Sequence, residues 1–289
     1  MSKISTIMVT LSLIITYLLG LGGRNVEGDY VLTRQEKLNS VDSMFAAQGL
    51  CCDGTWFYGS GAMTAVHFTG LSKFDLQMKC VKRRANAVPK EFTERYGSDH
   101  IGGIDCADGL IYAPVEGKYE DQGYVYNFIL LYSCETLEYT GVYYDLTSDY
   151  LTDGIPWCAV DRENRVLYTS KFNDVNELLR YDLDSMAFLG VLPLQQTVNR
   201  IQGGSVYNGQ IYLSYDAAHS TEEQILRVDL ASGAVSVECT RHLPNYDNEA
   251  EDLCVYPLAD GSLIHTVDYD KLLNVNVMHY QPTERSDAQ

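Results

Sequence analysis

Five units of similar pattern follow one another along the chain, and this repetition constrains the fold more than any other feature. Each unit has an apolar run, a turn residue, a second apolar run that usually ends in an aromatic residue, a polar loop and a third apolar run. The turn residues are 55, 55, 45 and 52 residues apart and are Gly54, Gly109, Asn164, Gly209 and Gly261. Three or four short strands per unit at such a spacing are typical of β-propeller blades, where small sheets pack face to face around a channel.

We therefore predict an all-β fold, a five-bladed β-propeller, with residues 23–289 forming a single domain. The fifth unit lacks a fourth strand, because residues 281–289 are polar and contain Pro282. A predicted strand at 29–33 precedes the first unit and does not belong to it. We expect this strand to complete the last blade. Closing the ring in this way removes free strand edges. A six-bladed propeller is the alternative, but residues 23–47 are too few for a further blade.

The first 22 residues have the layout of a secretory signal peptide. Lys3 precedes an apolar run over 4–22 that ends in the small residues Gly20 and Gly22, as signal peptidase sites do. The prediction is cleavage near Gly22, a secreted, extracellular protein and no membrane contact after cleavage. A signal anchor is the alternative, since a spanning helix needs about 20 apolar residues.

The eight cysteines all lie after this segment. An even number of cysteines in an oxidising compartment predicts disulfide bonds. The alternative is that several are free and pack in the core as small hydrophobic residues. No Cys and His spacing in the sequence is typical of a zinc site.

The chain is strongly acidic. It has 39 Asp and Glu residues against 21 Lys and Arg residues, which gives a formal charge of -18. Such a field repels nucleic acid and anionic membrane surfaces and favours cations or basic partners. Nucleic acid is therefore excluded as a partner.

Polar residues stand just before the innermost strand of each predicted blade, and in a propeller these positions converge at one end of the channel. They are Gln48, Asp99, His100, Asp153, Trp157, Arg200, Gln202, Asn248, Glu249, Glu251 and Asp252. Convergent polar groups predict a ligand-binding site. The residues expected to contact the ligand without taking part in chemistry are Gln48, Asp99, Trp157 and Gln202.

The residue types at the channel suggest three roles. Hard oxygen ligands from Asn248, Glu251 and Asp252 suit calcium, which is the predicted cofactor. His100 and Glu249 are candidates for proton transfer, because imidazole and carboxyl side chains commonly act as general acids and bases. The planar guanidinium of Arg200 would hold a carboxylate or an oxyanion. The alternatives are solvated surface carboxylates, a histidine satisfied in a turn, and an arginine in a salt bridge.

Three segments of the first unit carry a family resemblance. They read Phe45-Ala-Ala-Gln-Gly-Leu50, Tyr58-Gly-Ser-Gly61 and Leu71-Ser-Lys-Phe-Asp-Leu76. They resemble the opening blade of the plant and bacterial glutaminyl cyclases, which are secreted or periplasmic five-bladed propellers that cyclise N-terminal glutamine. The resemblance implies the fold and export, but the acidic segment of that family is replaced here by His100-Ile-Gly-Gly-Ile104. The carboxylate-rich channel is also similar to that of the calcium-dependent lactonase and paraoxonase propellers, which have six blades.

Two functions remain open on the sequence. The first is a secreted, acidic binding or extracellular matrix module that holds calcium in its channel and contacts an extracellular protein, a glycan or a mineral surface. The second is a hydrolase or cyclotransferase, lactonase-like or glutaminyl-cyclase-like, acting on a small carbonyl-bearing ligand. In it a metal or Arg200 would polarise the carbonyl, and His100 or Glu249 would move the proton.

Overall fold

The computed structural model describes residues 26–118, 123–217, 220–243, 248–270 and 274–283. Within these ranges, 22 strands form five small sheets. The predicted signal peptide at 1–22 lies outside the described residues. No helix in the described part of the chain is long and apolar enough to cross a membrane.

The strands are numbered in chain order. The first two are β1 (Val26–Gly28) and β2 (Tyr30–Lys37), which precede the first blade in the sequence. Blade I has β3 (Gly49–Cys52), β4 (Phe57–Met63), β5 (Phe68–Phe74) and β6 (Cys80–Ala85). Blade II has β7 (Ser98–Ile101) and β8 (Asp105–Ala107), which share the inner position, then β9 (Leu110–Lys118), β10 (Tyr124–Ser133) and β11 (Tyr139–Asp145). Blade III has β12 (Ala159–Asp161), β13 (Val166–Thr169), β14 (Val175–Asp182) and β15 (Phe188–Val198).

Blade IV has β16 (Ile201–Tyr207), β17 (Gln210–Tyr215), β18 (Glu222–Asp229) and β19 (Val235–His242). Blade V has β20 (Glu249–Val255), β21 (Ile264–Asp270) and β22 (Asn274–Pro282). Within the described residues, helix is confined to α1 (Ser40–Ser43), α2 (Lys90–Tyr96) and a 3₁₀ turn at Thr64–Val66. The prediction of an all-β, five-bladed propeller is confirmed.

The N-terminal strand closes the ring, as predicted. β2 pairs antiparallel with β22, from Tyr30 opposite Pro282 to Lys37 opposite Asn276, so it supplies the outer strand that the fifth unit lacks. β1 makes a different pairing, on the outer edge of β19 in blade IV. The first strands of the chain therefore join the last two blades, and this second pairing was not predicted.

Apolar side chains fill each junction between adjacent blades. Five buried clusters join blades I and II, II and III, III and IV, IV and V, and V and I. Inner strands such as β3 are buried throughout, whereas the outer strands β6 and β11 are mostly exposed. This gradient follows from the fold, because only inner strands are covered on both faces.

A buried carboxylate ties the inner strands of neighbouring blades together. Asp252 on β20 accepts hydrogen bonds from the backbone N–H groups of Leu50 in blade I (2.9 Å), Ile104 in blade II (3.0 Å) and Leu253 (2.8 Å). Burial raises the pKa of Asp252, and the hydrogen bonds from Leu50 and Leu253 oppose that rise. Oδ2 of this predicted calcium ligand therefore links blades I, II and V, and Oδ1 accepts from the next residue of its own strand.

The eight cysteines are free thiols, so the prediction of disulfide bonds is not supported. Seven are buried and Cys80 is partly buried. The alternative interpretation holds in the structure: most of these thiols pack as small apolar side chains between blades.

Candidate functional site

One cavity of about 300 Å³ lies at the end of the channel where the inner strands begin. Its lining combines carboxylates, amides, a histidine and aromatic rings: Gln48, His100, Glu116, Tyr124, Asp153, Pro156, Phe172, Gln202, Glu249 and Glu251. All five blades contribute to this wall. Six of the residues predicted to converge at the channel come together here, namely Gln48, His100, Asp153, Gln202, Glu249 and Glu251.

A chain of polar contacts crosses the cavity wall. Glu116 Oε2 lies 2.8 Å from His100 Nδ1, and His100 Nε2 lies 2.7 Å from the side-chain oxygen of Gln48. The amide nitrogen of Gln48 then donates to Glu251 Oε1 at 3.0 Å. The two carboxylates are thus joined through one imidazole and one amide.

The partners of Gln48 fix the hydrogen positions in this chain. Its amide nitrogen lies near two acceptors, Glu251 Oε1 and the Ala47 carbonyl oxygen (3.2 Å), so its oxygen must face His100. Because an amide oxygen only accepts, His100 Nε2 carries a hydrogen. The other ring nitrogen faces the carboxylate of Glu116. A second hydrogen there would give an imidazolium paired with a buried carboxylate.

Glu251 and Glu249 form a carboxyl pair on β20. Glu251 is 2 % exposed, while Glu249 lies exposed at the rim of the cavity. Burial raises the pKa of Glu251 well above its usual value, and the charge of Glu249, that of Asp216 and a hydrogen bond to Glu249 raise it further. The surroundings of Glu251 therefore favour its protonated form, which can donate a proton.

Arg200 and Asp99 are used elsewhere. Arg200 forms an ion pair with the buried Asp216 and also donates to the Asp216 carbonyl oxygen, and its guanidinium lies 5.2 Å from the Phe172 ring centroid. Asp99 Oδ2 lies 3.0 Å from His67 Nδ1 outside the cavity. Arg200 is thus engaged by a carboxylate that the sequence did not suggest as its partner, instead of being turned toward a ligand.

Trp157 and Asn248 are both buried away from the cavity wall. Trp157 packs in the cluster between blades III and IV, donates to Ser170 Oγ at 3.2 Å, and lies so close to Gly204 that a side chain there would collide with the indole ring. Neither side-chain polar atom of Asn248 has a hydrogen-bonding partner in the described parts of the chain. Calcium binding by Asn248, Glu251 and Asp252 stays a prediction.

Four residues that line the cavity were not predicted from the sequence: Glu116, Tyr124, Pro156 and Phe172. Glu116 is the most informative of them, because it is 3 % exposed on β9, directly opposite His100 in the register of the sheet. The predicted site residues all stand near the starts of inner strands, whereas β9 is the second strand of its blade. The signal in the sequence that points to Glu116 is an acidic residue directly after the apolar run 110–115.

A second cavity, of about 420 Å³, adjoins the first. The two share Gln48, His100, Tyr124 and Glu249, and the second is otherwise lined by Ala47, Ala62, Met63, Thr64, Ala65 and Tyr269. We call this second cavity the blade I cleft. Its wall is largely apolar, whereas the wall of the first cavity is polar, and the shared residues lie where the two cavities meet.

Comparison with known proteins relates the chain to others by structure alone. No family model matches the sequence, and no curated protein matches it. A β-xylosidase (RS223) superimposes with a TM-score of 0.58 at 10 % identity, over 84 % of this chain and 94 % of the other. A GH43_1 enzyme from Xanthomonas citri, complexed with xylose, gives 0.57 at 9 % identity, over 84 % and 89 %.

An exo-1,5-α-L-arabinanase from a bovine ruminal metagenomic library gives 0.51 at 15 % identity, over 81 % of this chain and 92 % of the other. At such identities the likeness is one of fold. The structural neighbours are propeller glycoside hydrolases, and the resemblance of the first blade to glutaminyl cyclases finds no support among them.

Proposed function

We propose that this protein is a glycoside hydrolase whose active site is the 300 Å³ cavity, with Glu251 as proton donor and Glu116 as the opposing carboxylate. The observation that carries the proposal is the presence of two buried carboxyl groups in one cavity, held in different environments. Hydrolysis of a glycosidic bond uses such a pair, because one carboxyl group must give a proton while the other acts as a base or nucleophile.

Glu251 suits the acid role. Its buried position and the neighbouring charge of Glu249 raise its pKa well above the usual value, which favours the protonated form that an acid needs. In the proposed reaction this proton moves to the glycosidic oxygen as the bond to the leaving group breaks. Gln48, which donates to Glu251 Oε1, orients the carboxyl group.

Glu116 suits the opposite role, because His100 stands beside it. The hydrogen on Nε2 of His100 leaves Nδ1 at 2.8 Å from Glu116 Oε2, where a proton on Nδ1 would balance the buried negative charge. The carboxylate would then either take the proton of an attacking water or attack the sugar itself. We therefore assign His100 the role of positioning Glu116, whereas the sequence had suggested that His100 itself transfers the proton.

Pentose glycosides are the first substrates to test. The neighbours named above include a β-xylosidase, an arabinanase and an enzyme complexed with xylose, and the cavity is of a size for one sugar ring between Tyr124, Phe172 and polar groups. Aromatic faces and clustered hydrogen-bonding groups suit the apolar and hydroxyl faces of a sugar. The alternative of a secreted binding module has no comparable support, since its calcium ligand Asp252 is committed to backbone groups.

A panel of aryl xylosides and arabinosides tests the proposal. We expect turnover of at least one of them, a fall in kcat of at least about 100-fold in Glu116→Gln, and a comparable fall in Glu251→Gln on the glycosides whose leaving groups are most basic. Glu138→Gln is the matched control, because Glu138 is an exposed carboxylate paired with Arg84, away from the cavity. Equal activity in the wild type and both cavity variants would overturn the assignment, as would the absence of turnover across the panel.

A further inference from the structure

Two histidines and an arginine lie in a row across three strands of blade V. His265 on β21 is opposite His279 on β22 in the register of the sheet, and His279 is opposite Arg34 on β2. Both imidazoles are fully buried. Because β2 is the strand that closes the ring, this row spans the closure.

The contacts within this row fix how many hydrogens it holds. His265 Nε2 lies 2.9 Å from the Tyr256 carbonyl oxygen, which only accepts, so Nε2 carries a hydrogen. His265 Nδ1 lies 2.7 Å from His279 Nδ1, and a hydrogen bond of that length has one hydrogen between the two nitrogens. In the neutral pair that hydrogen belongs to His279, because a neutral imidazole carries a single hydrogen and His265 has it on Nε2.

Arg34 makes any further proton on the pair unfavourable. Its Nη2 lies 3.2 Å from His279 Nε2 and 3.4 Å from His279 Nδ1. A first added proton would put a second positive charge beside this permanent cation. A second added proton would place two hydrogens in the 2.7 Å gap between the imidazoles. The row therefore favours two neutral histidines.

The other groups around the pair do not reverse this preference. The Phe57 ring of blade I packs edge-on against both imidazoles, with its centroid 5.1 Å from that of His265 and 5.8 Å from that of His279. Glu36 Oε1 lies 3.8 Å from Arg34 Nε. Burial lowers the pKa of both histidines and the charge of Arg34 lowers it further, whereas the charge of Asp260 opposes this fall without cancelling it.

The strand β2 is the part of blade V that this row can release. Of its eight residues only Tyr30 is buried. Besides its pairing with β22, β2 is held by Arg34 Nη2, which donates to the Leu76 carbonyl oxygen of blade I at 2.9 Å, and by Thr33 Oγ1, which donates to the His279 carbonyl oxygen at 3.1 Å. An outer strand with so little buried surface can detach while the strands around it stay paired.

We propose that His265 and His279 form an acid-sensitive switch at the ring closure, in which protonation of the pair repels Arg34 and releases β2 from β22. In the open state the imidazoles titrate near their usual pKa of 6.5, whereas in the closed state they stay neutral to lower pH. The free energy of opening therefore has its full value above pH 6.5 and falls as the pH drops below it. Low pH would leave the edge of β22 unpaired while the other blades stay folded.

Amide hydrogen exchange at about pH 7.5 and about pH 5 measures this opening, with each rate corrected for the effect of pH on the exchange chemistry. The protection factors of β2 should fall at least about tenfold more than those of β14, which lies between β13 and β15 in blade III. A fall of equal size in both strands, or no fall in β2, would overturn the proposal. The comparison uses the unmodified chain, so it does not depend on a variant that folds.

Two variants test whether the row causes the opening. Arg34→Gln removes the repelling charge and His279→Gln removes one titrating ring, so each should abolish most of the extra loss of protection in β2. His67→Gln is the matched control, because His67 is an exposed histidine beside Asp99, outside blade V, and it should keep the full loss. The proposal fails if both row variants lose protection in β2 as the wild type does.

Discussion

Replacing Glu223 by glutamine should make the protein more stable at alkaline pH. Glu223 lies on β18, is fully buried, and accepts a hydrogen bond from the Ala217 N–H at 2.6 Å. Its other oxygen has no hydrogen-bonding partner among the residues that the structure describes. Burial, with a contribution from Asp216, raises its pKa from 4.5 to about 8.

The size and sign of the effect follow from this shift. Between pH 4.5 and 8 the folded protein keeps a proton on Glu223 that the unfolded chain has released, so the free energy of unfolding falls as pH rises through that window. Above pH 8 Glu223 is ionised in both states, so it causes no further decrease in the free energy of unfolding. A shift from 4.5 to about 8 corresponds to about 5 kcal/mol, as an upper bound because the charged group can relax. Glutamine keeps the acceptor for Ala217 and cannot ionise.

Urea unfolding at pH 5, 7 and 9 measures the difference. The wild type and Glu223→Gln should have similar free energies of unfolding at pH 5, and the variant should be more stable by several kcal/mol at pH 9. Glu238→Gln serves as a control for the loss of a charge on the same blade. The reasoning is refuted if the difference between wild type and variant does not change between pH 5 and 9.

Three further predictions concern the site and the fold. Glu249→Gln removes a charge that raises the pKa of Glu251, so the alkaline limb of the pH profile of kcat should move to lower pH; an unchanged limb would count against Glu251 as the acid. Because the blade I cleft adjoins the 300 Å³ cavity, we expect it to hold the leaving group of a disaccharide; Ala65→Trp should fill part of the cleft and lower kcat/KM for a disaccharide by about tenfold or more, with a much smaller effect on a glycosyl fluoride, and equal losses would contradict this role. Burial lowers the pKa of His265 to about 4 and that of His279 to about 2, so the free energy of unfolding should fall as pH drops from 6.5 to 4. Urea unfolding of His265→Gln should show a shallower fall, and an identical fall would exclude this pair as its cause.

The repeat alone was enough to predict the architecture. Five turn residues at a regular spacing imply five similar sheets, and sheets that each need covering on both faces can only close into a ring. The last unit lacks a fourth strand and a spare strand precedes the first unit; this spare strand, β2, pairs with β22 and closes the ring. The pairing of β1 with β19 was not predictable, because three residues carry too little pattern to assign a partner.

The site was predictable where it depends on ring geometry and not where it depends on side-chain packing. Gln48, His100 and Glu251 meet because inner strands begin at one end of the channel. Trp157 points into a junction between blades, since an indole ring gains more from burial than from a polar cavity. Glu116 faces the same cavity from a second strand, which only the register of β7 and β9 reveals.

The disulfide prediction failed for a different reason. An even cysteine count says nothing about where the sulfur atoms lie, and seven of the eight are dispersed through buried positions of the blades.

The dependence of Glu251→Gln on the leaving group tests the central claim most directly. A proton donor matters most when the departing group is basic, so the variant should lose kcat by at least about 100-fold on an alkyl pentoside and far less on a dinitrophenyl pentoside. This pattern would assign the acid role to Glu251. Equal losses on both substrates, or no loss on either, would contradict it.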